Sequence, residues 1–370
     1  MKFDFTEEQR LLADSVRRFV AQDYPFDARR GIVESAEGFS PRVWATFAEL
    51  GLLGIPFAAD DGGFGGGAVD LMPVMEAFGE ALVVEPFVPT LMAGRLVARL
   101  GSPAARAQVI PAVIEGRMKL ALAHAEHDAR YDLASVEATA TRDGSDWRLT
   151  GEKCAVLHAR AADALVVSAR AKGTLALFLV GRDRAGVELH GGRTFDGMRA
   201  ADVILRDVRV DDSARLGSAD ALAALEAEFD FATALACAEA VGAMKSANGA
   251  TLEYLKTRKQ FGVPIGAFQA LQHRMVDMVI EYEQARSMAS LACAKVDTAS
   301  DARERARIVS AAKIRVCEAC RRVSQESVQL HGGMGMTDEL KVSHTFRRLT
   351  VLGQQFGDAD HHLERFASLG

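Results

Sequence analysis

Arg258-Lys259-Gln260-Phe261-Gly262-Val263-Pro264-Ile265 separates two helical patterns, and what stands on either side of it decides the fold. Beyond it, Leu271, Met275, Met278 and Tyr282 recur at spacings of three and four, and so do Ile308, Ala312, Val316, Ala319 and Val323. Each set makes one apolar stripe along a helix, as bundle helices require. Within the break, Gly262 and Pro264 interrupt the helix, while Arg258 offers a forked, permanently charged guanidinium suited to a phosphate oxygen. Gln269 opens the next helix, where backbone N–H groups also attract anions. A second break, Gln329-Leu330-His331-Gly332-Gly333-Met334-Gly335-Met336, ends a helix with glycines just past its end. Consecutive glycines let a backbone approach a ligand closely. Taken singly, each break also reads as a charged turn or a glycine cap.

Toward the N-terminus the pattern changes. Asp143-Gly144, flanked by Val136 to Thr141 and Trp147 to Thr150, signals a β-hairpin. Short β-type runs follow at Ala164 to Val167, Leu175 to Val180, Val187 to His190 and Val203 to Val210. The first third is helical again. Thr6-Glu7-Glu8-Gln9 is a capping-box pattern ahead of Leu11, Leu12, Val16, Phe19 and Val20, and a Gly-rich break runs from Asp61 to Gly67. The expected organisation is α+β in three parts: a helical domain over 1–117, a β-barrel or sandwich domain over 118–215, and a four-helix-bundle domain over 216–370.

A chain of 370 residues exceeds the usual limit of one hydrophobic core. A net charge of −6 gives no electrostatic reason to expect nucleic acid or an anionic membrane. The start, Met-Lys-Phe-Asp-Phe-Thr-Glu-Glu, places acidic residues where a leader would be apolar, and no apolar run approaches the roughly 20 residues that span a bilayer. A cytosolic protein is expected. Cys154, Cys237, Cys293, Cys317 and Cys320 are few, odd in number and scattered, so buried or half-buried thiols are expected rather than disulfides. Cys317-Glu-Ala-Cys320 has redox or metal spacing, but no second pair or nearby histidine completes a zinc site, and no metal is expected.

Together and in this order, Arg-x-Gln-Phe-Gly-x-Pro-Ile, the Phe268-Gln269 pair and Gln-x-His-Gly-Gly-x-Gly resemble the acyl-CoA dehydrogenase family. The resemblance covers essentially the whole chain. Asp358-Ala359-Asp360-His361-His362-Leu363 is similar to the subgroup of small subunits of pimeloyl-CoA dehydrogenase. The resemblance implies FAD between the β domain and the helical bundle, its ADP half reaching across a subunit interface. Arg258, Gln260 and Phe261 would hold the pyrophosphate and adenosine end, and Gln269 would contact the same region. Gln329, Leu330, His331, Gly332 and Gly333 would line the adenine side from a neighbouring subunit. Asp358 and Asp360 stand where the family touches the flavin. The implied chemistry is α,β-desaturation of an acyl-CoA by proton abstraction and hydride transfer to flavin, with an electron-transfer flavoprotein as acceptor.

The catalytic carboxylate is missing from both of the family's usual places. The first, 23 residues beyond Gly333, is Phe356; the second, on the helix before Arg258, is Ala232. Asp230 points well away from that second place, and Glu239 lies about 10 Å from it by helix rise. Both are weak substitutes whose plainer reading is a solvated helix face. In the β domain, Ala123-His124-Ala125-Glu126-His127-Asp128 and Ala155-Val156-Leu157-His158 replace the hydroxyls and amides that bond the flavin ring. His124, His127 and His158 are expected to be structural or solvent-exposed. The pattern implies a subunit of a heteromeric enzyme, a heterotetramer with a homologous dehydrogenase subunit that carries the glutamate. A self-sufficient flavoenzyme using an unusual carboxylate or running monooxygenase-type chemistry is the first alternative, and a flavin-free scaffold the second.

Overall fold

The computed structural model describes Thr6–Gly370; residues 1–5, on which part of the leader reading rests, lie outside the described residues. The first helices are α1 (Glu7–Asp23), α2 (Phe26–Glu34), α3 (Pro41–Glu49), α4 (Ala68–Ala81), α5 (Phe87–Leu100) and α6 (Pro103–Ile114). The strands β1 (Leu120–Ala123), β2 (Thr139–Asp143), β3 (Asp146–Leu157), β4 (Ala164–Ala171), β5 (Thr174–Gly181), β6 (Val187–Arg193), β7 (Arg199–Val210) and β8 (Arg215–Leu216) follow. The chain closes with α7 (Leu222–Thr257), the short pair β9 (Lys259–Gln260) and β10 (Val263–Pro264), then α8 (Gln269–Thr298), α9 (Ala302–His331), α10 (Lys341–Leu352) and α11 (Ala359–Ser368). The order is helical, β, helical bundle. Among the described residues no helix is long and apolar enough to cross a membrane.

Two compact units emerge. One takes the chain up to Arg30, Gly67–Val83 and Asp230–Gly370; the other takes Gly31–Gly66 and Val84–Phe229. In the first, the expected stripes are the core: Met275, Met278, Val316, Ala319 and Val323 pack with Ala240, Ala243, Met244 and Leu349, and Leu271 and Tyr282 lie against them. The small residues of α7 serve close helix approach. A Cβ on Gly242 would stand 1.8 Å from the Glu76 carbonyl oxygen, and one on Gly79 would stand 1.9 Å from that of Glu239. Helices α4 and α7 therefore touch backbone to backbone. The capping box of α1 forms as written: Thr6 Oγ1 accepts the Gln9 N–H and Gln9 Oε1 accepts the Thr6 N–H.

In the second unit an eight-stranded sheet runs β6-β7-β3-β2-β4-β5-β8, with β1 parallel to β4. Strand β1 carries no turn signal, and the sequence reading passes over it. It forms because α5 covers it: the Thr90 hydroxyl bonds the Leu120 carbonyl at 3.2 Å. Strands β4 and β5 are buried almost throughout, and Trp147 meets Phe178 edge-on at 5.5 Å. Strand β3 is longer than the hairpin signal suggests, because a bulge lets it continue past Lys153 beside β7.

Candidate functional site

The Arg258 segment forms a two-residue hairpin turn. Phe261 and Gly262 have φ of 54° and 83°, so both central residues are left-handed, as a type I′ turn demands. Glycine adopts that geometry freely, but a phenylalanine does so at a cost of about 1–2 kcal/mol. The strained ring is also 90 % exposed, meeting Phe268 edge-on. Gln260 and Gln269 are exposed on the same stretch, Gln269 as the first residue of α8. Arg258 is exposed, and among the described residues no carboxylate lies within ion-pair reach of it.

The structure brings the two breaks together within one chain. Tyr254, whose carbonyl takes the Arg258 N–H at 2.8 Å, stacks on His331 at 4.5 Å and 28°. His331 Nδ1 donates to the Ser327 carbonyl at 2.7 Å, and burial holds its pKa below the ordinary histidine range. The imidazole is therefore a neutral packing surface beneath the end of α9. Leu330 is buried with it, Gln329 is exposed, and a Cβ on Gly332 or Gly333 would meet nothing within 4 Å. The Tyr254–His331 stack thus joins the helix end that carries Arg258 to the helix end that runs into the open glycine pair. That donor set suits a phosphate-bearing cofactor such as FAD.

The loop after α10 is tightly built around Phe356. Phe356 has φ of 62° and packs its ring on the bundle core. Its carbonyl accepts from His362 Nε2 at 3.0 Å, while His362 Nδ1 lies 3.2 Å from the Ser310 hydroxyl. Burial, then the Lys313 charge, pulls His362 down to about 3. Lys313, itself 1 % exposed, donates to the Leu352 carbonyl and, at 2.8 Å, to that of Gln355. Asp358 caps α11, accepting the His361 N–H at 2.9 Å, and Asp360 is exposed in the first turn.

Asp230 and Glu239 are not on a solvated face. Asp230 is 1 % exposed and clamped by Arg305 at 2.8 Å and Arg365 at 2.6 Å. Glu239 accepts a fork from Arg348, at 2.6 Å and 2.8 Å. Helix periodicity leaves these faces open to solvent, but the flanking helices carry arginines that seal them. Ala232 is fully buried. No motif marks Lys313, Arg305, Arg348 or Arg365; their positions inside otherwise apolar or small-residue helix faces are the only hint.

In the sheet unit, Lys153 is fully buried and bonds Glu126 Oε1 at 2.5 Å and the Ser168 hydroxyl at 2.9 Å. Glu126 also accepts the N–H groups of Glu137 and Ala138. His124 packs against Ser168 at 3.0 Å, and burial followed by the Lys153 charge lowers it to about 4. This clasp pins the 124–138 loop. His158 is buried and His127 exposed. Cys237, Cys293, Cys317 and Cys320 are buried and Cys154 is half-buried; burial pushes Cys237 up to about 12 and raises the others, so these thiols stay protonated.

A helical part, a sheet unit and a bundle of long helices follow one another along the chain. The acyl-CoA dehydrogenase N-terminal, middle and C-terminal domain families match residues 6–117, 121–212 and 221–368. The chain belongs to the acyl-CoA dehydrogenase family. It is 32% identical over 356 residues to the acyl-CoA dehydrogenase FadE12 of Mycobacterium tuberculosis, covering 91% of this chain and 89% of that one. The ChsE4–ChsE5 complex from Mycobacterium tuberculosis superposes with a TM-score of 0.91 at 26% identity, covering 100% of this chain and 98% of that chain. PigA, solved with FAD and proline, superposes with a TM-score of 0.90 at 25% identity over 100% of this chain and 98% of the other.

Proposed function

We propose that this chain is the subunit of a heteromeric FAD-dependent acyl-CoA dehydrogenase whose homologous partner supplies the catalytic carboxylate. One observation carries the reading: Asp230 and Glu239 are buried in arginine clamps, while Phe356, which the family resemblance puts at the place of the base, packs on the bundle core. Both carboxylates are engaged on both oxygens by guanidinium groups, which gives them a structural part to play. Bound FAD would supply the two-electron acceptor for α,β-desaturation of an acyl-CoA thioester. This chain's contribution is then Arg258 on the pyrophosphate, with Gln260, Phe261, Gln269 and the Gln329–Gly333 segment around the ADP half. Tyr254 and His331 hold both segments in one register, so both serve a single cofactor.

The outward Phe261 and the exposed Val276, Val279 and Ile280 on α8 support assembly with another subunit, since apolar side chains grouped at such positions mark interfaces. The relative solved as a ChsE4–ChsE5 complex accords with two unlike subunits. The Asp358–Leu363 run, similar to pimeloyl-type small subunits, favours a dicarboxylic or bulky acyl group, and an electron-transfer flavoprotein is the acceptor the family implies.

The test is flavin content and desaturation by this chain alone, then co-expressed with a homologous dehydrogenase subunit that carries the family's glutamate. The reading requires a flavin-poor, inactive lone chain and a pair holding one FAD per two chains that turns over. A lone chain with full flavin and activity overturns it. In the pair, Arg258→Ala lowers retained FAD by removing a charged phosphate contact worth about 1.5–3 kcal/mol; unchanged flavin content removes Arg258 from the cofactor site.

A further inference from the structure

Beside the bulge in β3, a set of donors gathers that none of the roles assigned above uses. Past Lys153 the register between β3 and β7 shifts, so that Cys154 and Ala155 together stand opposite Asp202. Ala155 takes a left-handed conformation, φ 50°, and donates its N–H to Asp202 Oδ1 at 2.9 Å. That bond engages one oxygen of the Asp202 carboxylate. Glu152 lies on the same outward face of β3, because it pairs with Ile204, two residues from Asp202 on β7. His127 comes over the sheet from the 124–138 loop, its Nε2 3.4 Å from Glu152 Oε1. One ligand atom each from His127, Glu152 and Asp202 lies within 4.8 Å of the others. On the other flank of β7, His190 pairs directly with Asp202, so its ring projects from the same face.

We infer that this face binds one divalent transition ion of the zinc type, held by His127, Glu152 and Asp202, with His190 as the fourth ligand. Metal–ligand bonds to imidazole and carboxylate measure about 2.0–2.2 Å. Donors sharing one ion therefore stand about 3–4 Å apart, within the present spacing after small side-chain rotations. Two imidazoles and two carboxylates select zinc-type ions over magnesium or calcium, which prefer oxygen alone. The ligands come from three strands and one loop. Binding would fasten the 124–138 loop to the β3–β7 pair. His190 is 64 % exposed, with its Nε2 3.8 Å from Glu188, and would have to turn from Glu188 toward Asp202 to complete the set.

The experiment is calorimetric titration of the EDTA-treated full-length chain with zinc chloride, alongside thermal melting with and without the ion. The expected result is one saturable zinc ion per chain and a raised melting temperature. His127→Ala and Asp202→Asn each weaken binding about ten-fold or more, since even outer-shell changes cost metal sites that much. Asp202→Asn keeps an oxygen for the Ala155 N–H; should it still fail to fold, Glu152→Gln on the exposed strand face carries the same test. His190→Ala weakens binding less, and Cys154→Ser leaves it unchanged. The inference is overturned if no one-to-one binding appears, or if His127→Ala and Glu152→Gln bind zinc as the unaltered chain does.

Discussion

Arg348→Met separates a structural role for Glu239 from a catalytic one. The two side chains are 5% and 6% exposed, and the guanidinium meets both carboxylate oxygens, at 2.6 Å and 2.8 Å. Methionine fills much of the arginine stem's volume, so the main change is a buried carboxylate without its partner. Breaking such a pair from one side costs about 3–5 kcal/mol, because the remaining charge has lost its compensation. The backbone of Glu239 is also fixed against Gly79, which limits how far α7 can shift to bring the carboxylate to water. Guanidinium unfolding followed by helical circular dichroism measures the loss. Glu239→Met combined with Arg348→Met should recover most of it, since a buried ion pair replaced by apolar groups of similar volume is near neutral. A cost under about 1 kcal/mol for Arg348→Met refutes the clamp, since that is what an exposed pair is worth. So does a Glu239→Gln variant of the assembled enzyme that keeps its stability and flavin but loses turnover. That outcome makes Glu239 a base and removes the need for a partner's carboxylate.

Two further substitutions probe the same bundle. His362 is held neutral, at about 3 in the folded chain against an ordinary 6.5 when unfolded, so the unfolded chain binds more protons in between. Stability therefore falls as pH drops from about 6.5 toward 3, and His362→Asn should flatten part of that acid limb in urea titrations; an unchanged slope counts against a neutral His362. Gly242→Ala places a methyl 1.8 Å from the Glu76 carbonyl, so α4 and α7 must separate. A loss of about 1–3 kcal/mol or more is expected in the same unfolding assay, and a neutral effect would mean that the two helices do not cross there.

Much of this was legible because the determinants are local. The helical stripes at 271–282 and 308–323 need only their own spacing to be read, and the glycine stop after His331 needs only a left-handed residue at a helix end. Strand β1 was not legible: Leu120–Ala123 is short and apolar, and its strand state comes from α5 and β4. The clamps were not legible either. Asp230 meets Arg305 and Arg365 from far along the chain, and a carboxylate on a helix looks the same in sequence whether water or a guanidinium faces it. The His127–Glu152–Asp202 set was hidden for a different reason. Its members lie on two strands and a separate loop, and only the pairing of β3 with β7 and the course of the 124–138 loop bring them together.

The loop around Phe356 bears on the proposed division of labour. A loop that had merely lost its function would be expected to lose its supports with it. Here a buried lysine holds the Leu352 and Gln355 carbonyls, and a neutral histidine holds that of Phe356. Burying Lys313 is costly unless its hydrogen bonds are made, and two backbone carbonyls repay that cost only while the loop keeps its shape. A Cβ on Gly357 would strike His362, and Phe356 accepts a left-handed φ in order to turn its ring onto the core. The fold thus holds this loop in one shape around a phenylalanine, a residue that cannot take a proton. Under the proposed division of labour, such a loop would serve shape rather than proton transfer, keeping the end of the bundle in the form that a second subunit and its cofactor would pack against.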